Sequence, residues 1–212
     1  MGMGQHAGRL VVVLNVATDD TLIGAAMQYS DVIRVVADVL KQFDSEMPVH
    51  KAFSPGIGPF GEPQLVREIA RRLTRRGIAA RTRRTPDLDV QQEWAVECKI
   101  VRPFGDNGKE AENWSANLLH PYPGNVSLIG DAIKLSELDD GRHKGLLVIG
   151  YEHNPPRISL DPLLHSFELI CAQVMNIVLA ARVEEKRRNL VHPEHQVLRC
   201  VGWELKQRQA CA

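Results

Sequence analysis

Thr85-Pro86-Asp87-Leu88-Asp89-Val90-Gln91-Gln92-Glu93-Trp94-Ala95-Val96-Glu97-Cys98-Lys99 is the stretch on which the reading of this chain turns. A Pro-Asp pair precedes a Glu-Cys-Lys triplet, with nine residues between Asp87 and Glu97, and the triplet closes a run with strand character from Glu93 to Val101. Along a strand, positions i and i+2 share a face. Glu97 and Lys99 are therefore expected to project together with Ala95 beside them, while Trp94, Val96 and Cys98 face the opposite layer. Two carboxylates from neighbouring strands can hold a hard divalent cation through oxygen. An ammonium beside them can orient a water and favour the hydroxide that attacks a phosphodiester. Taken alone, the triplet fits a solvated edge strand equally well, and Asp-Leu-Asp fits a turn.

The flanking segments add weight. Glu62 to Gly77 has the pattern of an amphipathic helix, with Pro63 in the first turn, Leu65, Ile69 and Leu73 at four-residue spacing, and Gly77 as the stop. Ile78 to Arg84 predicts a short strand. Val126 to Leu138 predicts a helix whose apolar side carries Leu128, Ile129, Ala132, Ile133 and Leu135. Leu146 to Tyr151 is an almost unbroken apolar run, as expected of a central strand covered on both faces.

This order, with the residues placed on it, resembles the PD-(D/E)xK nuclease superfamily, which includes type II restriction endonucleases and Holliday junction resolvases. The resemblance covers residues 54 to 152. It implies an α/β fold with a restriction-endonuclease-like core (αβββαβ), a mixed central sheet flanked by helices. Two of the three strands between its helices are readable in this sequence. The resemblance further implies Mg²⁺ or Mn²⁺ at Asp87 and Glu97, with Asp89 the alternative to Asp87, and Lys99 as the residue positioning water. Glu62 stands where many members add a carboxylate from the first helix. Lys134 stands where the second helix often carries a basic residue facing the site. The implied activity is metal-dependent hydrolysis of DNA, and cutting both strands favours a homodimer.

Charge distribution points the same way. Net charge is zero, yet Arg71, Arg72, Arg75, Arg76, Arg81, Arg83 and Arg84 fall within fourteen residues, and no acidic residue lies between Glu68 and Asp87. Clustered arginine beside a phosphodiester site is the footprint of a backbone-binding surface. Arg83, Arg84, Lys134 and Lys109 are the DNA-contact candidates. A solvated helix face or an oligomer interface are the competing uses.

Two further readings are carried. Gly56-Ile-Gly-Pro-Phe-Gly61 matches G-x-G-x-x-G ahead of a helix, which would suit a nucleotide cofactor. That fingerprint requires a buried strand running into the first glycine, and Met47 to Pro55 offers none. The other reading is a catalytically silent DNA-binding or interaction protein of the same fold.

The 212 residues suffice for one substantial core, and 44% hydrophobic with 25% charged residues is ordinary for a globular chain. One domain is expected over residues 1–212, comprising an N-terminal helical segment (1–53), a nuclease-like core (54–152) and a C-terminal helix and strand extension (153–212). No apolar run is long enough for a membrane span, and the start shows no trusted leader pattern, so a cytoplasmic protein is expected. Cys98, Cys171, Cys200 and Cys211 lack metal or disulfide spacing. Residues 17–46 predict a long helix, 102–125 a loop containing Trp114, 161–188 a second long helix, and 196–206 a final strand. His192 and His195, in H-P-E-H, are expected in a surface loop.

Overall fold

Alternation and length together build the sheet. The computed structural model describes residues 26–120 and 127–206. Its strands are β1 (Ala80–Thr82), β2 (Leu88–Val90), β3 (Trp94–Val101), β4 (His143–Glu152), β5 (Val183–Arg187) and β6 (Val197–Leu205). They form one six-stranded mixed sheet in the order β1-β2-β3-β4-β6-β5. Only the β3–β4 pair is parallel. A parallel pair needs a crossover, and here it carries the helices α3 (Ala116–Leu119) and α4 (Leu128–Glu137).

Helices cover both faces. On one side lie α1 (Tyr29–Ser45) and α2 (Glu62–Arg75), packed on Trp94, Val96, Cys98 and Ile100 of β3 and on Leu147, Ile149 and Tyr151 of β4. On the other, α4 and α5 (Asp161–Gln173) pack on Ala95, Val101, Leu146, Val148 and Trp203. The face assignment for β3 follows the two-residue period as expected. β4 is buried on both sides along its length from Gly145, which accounts for its unbroken apolar run. Helix α1 crosses the sheet closely because two glycines make room. A Cβ on Gly145 would lie 2.3 Å from the Tyr29 ring and one on Gly202 2.4 Å from Ile33. Tyr29 then donates its hydroxyl to the Leu146 carbonyl at 2.6 Å.

Several expectations need correction. Between α2 and α4 there are three strands. The turn expected at Asp87-Leu88-Asp89 holds β2, and the turn itself lies later, at Gln91 and Gln92, both with positive φ, closed by Glu93 N donating to the Val90 carbonyl at 3.0 Å. The helix expected over 161–188 ends at Gln173; Asn176 takes a left-handed φ of 53°, and 183–187 form β5. Val174 (68% exposed) and Val178 therefore do not face the core. The helix expected over 17–46 is described from Tyr29, and Ile23 lies outside the described residues. The histidine expectation also fails: His192 and His195 are fully buried. His192 Nε2 bonds Asp106 at 2.8 Å, His195 Nε2 donates to the Phe104 carbonyl at 2.9 Å, and the two rings stack. Burial pushes the His195 imidazole pKa down to about 4, so it is neutral. Gly58 packs directly on that ring, where a Cβ would meet Nδ1 at 2.0 Å. The G-x-G-x-x-G segment follows helix α1 and a turn, without the strand that the dinucleotide fingerprint needs. Among the described residues, no helix is long and apolar enough to cross a membrane.

Candidate active site

The site grows from the shortness of β2. β2 pairs with β3 only through Leu88↔Val96, Asp89↔Ala95 and Val90↔Trp94. Beyond Val96 the outward backbone N–H groups of β3 have no strand beside them, and a buried N–H must find an acceptor. Two carboxylates supply it. Asp87 Oδ2 accepts from Cys98 N at 3.0 Å, and Glu62 Oε2 accepts from Ile100 N at 3.1 Å. Glu62 is delivered there as the first residue of α2, after the Gly61 cap and before Pro63. The edge of β3 is thus lined by carboxylates.

Continuing the β2–β3 register by one residue sets Asp87 opposite Glu97, so the two carboxyl groups act on one another. Glu97 is only 4% exposed. Burial first, then the Asp87 charge, pushes its pKa well above the ordinary carboxylate range. At neutral pH Glu97 is therefore the protonated donor in a shared-proton pair. Glu62 also sits above its ordinary value, mainly from burial and against the opposing pull of Lys99.

Lys99, 7% exposed, projects from the same face. Its Nζ lies 3.0 Å from Asp131 Oδ2 and 3.4 Å from Glu62 Oε1. Burial opposes its charge, but Glu62 and Asp131 more than offset that, so its pKa ends above the usual lysine value. Lys99 is a fixed cation and not a general base at neutral pH. Lys134 reaches the site only through Asp131, at 2.9 Å.

Asp131 was missed in the sequence. It occupies α4 three residues after Leu128 and four before Leu135, inside the apolar stripe, and is buried. A carboxylate within a core-facing stripe is the signal that would have found it.

Asp89 shares the face but belongs elsewhere. It is 2% exposed and paired with Arg81 at 3.0 Å, Arg142 at 3.1 Å and Arg83 at 3.3 Å. The arginine run is likewise divided. Arg72 is buried against Glu46 and Glu68, and Arg71 pairs with Glu68. Arg83 is tied to Asp89, while Arg84 and Lys109 are exposed. Part of the expected phosphate-binding cluster is therefore internal ion pairing.

Among the described residues, no group of three or more His, Cys, Asp or Glu stands spaced as a metal cage. A pair still fits a small hard cation. Asp87 and Glu97 converge on one proton, and Mg²⁺ is commonly held by one or two carboxylates, with water and substrate phosphate completing its shell. A divalent cation in place of that proton would offset the burial and the Asp87 charge that together hold the Glu97 pKa up.

Comparison of this chain with protein-family models, with characterised proteins and with solved structures finds no match.

Proposed function

We propose that this protein is a divalent-metal-dependent nuclease of restriction-endonuclease-like fold, hydrolysing DNA phosphodiester bonds as a homodimer. The observation that carries the reading is the Asp87 carboxylate, one residue before β2, set opposite Glu97 of β3, with the Lys99 ammonium on the same face. The order from α2 to β4, a helix, three strands, the four-residue α3, the helix α4 and a strand, supports it.

In this reading Asp87 and Glu97 would hold Mg²⁺ or Mn²⁺, with Glu62 assisting through water. The metal, when bound, supplies Lewis-acid polarisation and an acidified water. Lys99, kept protonated, orients the attacking water and faces the charge that develops on the phosphate. Asp131 holds the lysine in place. Arg84, Lys109 and the outer part of Arg83 supply contacts to the DNA backbone.

One observation favours a second reading. Asp87 and Glu62 already serve the β3 backbone, as they would in a catalytically silent DNA-binding protein of the same fold. Incubation with plasmid, linear and branched DNA, with and without Mg²⁺, separates the two. The nuclease reading expects metal-dependent cutting that Lys99→Ala removes. Binding of DNA without cutting under any divalent metal would favour the silent protein.

A further inference from the structure

A cleft of about 760 Å³ opens directly beside Lys99. Its inner wall is Glu62, Lys99 and Ile100, and it runs outward between the loop at His50 to Phe53 and the segment from Phe104 to Asn117. That size lies within the range of small-ligand sites. His50, Phe53 and Trp114 supply its flat surfaces. Phe53 is 40% exposed, and its ring stacks against His50 at the cleft wall.

The charges in the cleft cancel or are already engaged. The Arg102 guanidinium is held by the carbonyls of Gly58 and Phe60. Asp106 accepts from Ser54 N and bonds His192, both at 2.8 Å. Exposed Lys51 and Glu112 add one charge of each sign to the lining. Gln64, the Asn107 amide nitrogen and the Asn117 amide oxygen remain to offer neutral donors and acceptors along the wall; Asn107 Oδ1 already accepts from Lys109 N and Asn117 Nδ2 already donates to the Ile100 carbonyl. A run of phosphates has no cationic track here, in contrast to the arginines beyond Asp87. The chemistry suits a flat, neutral ligand with hydrogen-bonding edges.

Resting on the nuclease reading, we propose that this cleft receives an unpaired nucleobase of the substrate strand next to the scissile phosphate, stacked on Phe53 and Trp114. A paired base inside a duplex cannot enter such a pocket; it must come from a strand end or be turned out of the helix. The protein then prefers DNA with unpaired nucleotides beside the cut, and the arginine side of the site takes the duplex.

The test is fluorescence anisotropy with labelled hairpins in Ca²⁺, using blunt, short-overhang and internally mismatched forms. Stacking on one aromatic side chain predicts roughly tenfold or tighter binding of an unpaired form over the blunt one. Phe53→Ala should bring the unpaired form's affinity down to that of the blunt hairpin. Trp114→Phe, which keeps a stacking face in a ring packed on the core, should retain most of the preference. Tighter binding of the overhang alone assigns a strand end, and of the mismatch alone a turned-out base. Equal affinity for blunt and unpaired forms, or a preference that survives Phe53→Ala, overturns the proposal. A Phe53-dependent preference without any cutting in Mg²⁺ would sink the nuclease reading and leave the cleft's ligand in place.

Discussion

Two acid–base clusters stand side by side on one face of the sheet, and their charges are balanced in opposite ways. Around Asp89, one buried carboxylate meets three arginines, Arg81, Arg83 and Arg142. Around Lys99, the carboxyl groups of Glu62, Asp87, Glu97 and Asp131 face two lysines, Lys99 and Lys134. The first cluster satisfies its buried anion and leaves cationic surface outward. The second has more carboxyl groups than cations, and a shared proton makes up part of the difference. A buried charge without a partner is costly enough that the group neutralises. Stability alone would favour the first arrangement; the second makes sense where something positive is to arrive.

The largest effect should come from the second cluster. On the proposed nuclease reading, Lys99→Ala removes a fixed charge that would face the transition state and should lower the cleavage rate by about 10²-fold or more, while DNA affinity, spread over many phosphate contacts, holds. Single-turnover cleavage beside an anisotropy titration reads both quantities. Equal losses in rate and affinity would break the distinction between the clusters.

Asp89→Asn should do the reverse. It leaves three arginines around a neutral group and should cost about 1–3 kcal/mol of stability, seen as a drop of several degrees in Tm, with cutting by the folded protein retained. Loss of cutting at unchanged Tm would move the metal site to Asp89.

A smaller effect follows from the raised pKa values of Glu97 and Glu62. In each the folded-state pKa exceeds the unfolded one, so the stabilisation is full below the ordinary carboxylate pKa of about 4.3. It is lost as pH rises toward the folded-state values, because the unfolded chain then binds fewer protons than the folded one. Urea midpoints in EDTA should therefore fall from pH 5 to about 8, and Glu97→Gln should flatten that fall. A midpoint rising over this range in the parent protein would contradict the shared-proton pair.

The smallest effect concerns the outward cations. Arg84→Ala should reduce the slope of log affinity against log salt by about 1, and Arg83→Ala by less, because Asp89 already holds that guanidinium. Equal slopes for the two variants would show that the Asp89 pairing does not persist on DNA.

How much of this was legible in the sequence depends on how each residue signals itself. The two-residue period placed Glu97 and Lys99 on one face of β3, and the four-residue spacing of Leu65, Ile69 and Leu73 located α2 with Glu62 at its start. β2 escaped because it is only three residues long, and Leu88-Asp89-Val90 is too short a run for its alternation to be told from a turn. Asp131 escaped because its burial depends on Lys99, a partner from β3 that the helix pattern alone does not reveal. The apolar run from Val174 to Leu179 looked helical until Asn176 broke it, a backbone turn that composition does not announce. His192 and His195 carried no sign of burial, since it depends on partners brought from Asp106 and Phe104, more than eighty residues away in the chain.

The central claim is that Asp87 and Glu97, and not Asp89, form a divalent-cation site. Calorimetric titration of the DNA-free protein with Mn²⁺ tests it most directly. The account predicts one saturable site in the parent and in Asp89→Asn, and its loss in both Asp87→Asn and Glu97→Gln. Undiminished Mn²⁺ binding after both of the latter substitutions, or no saturable binding by the parent, would contradict it.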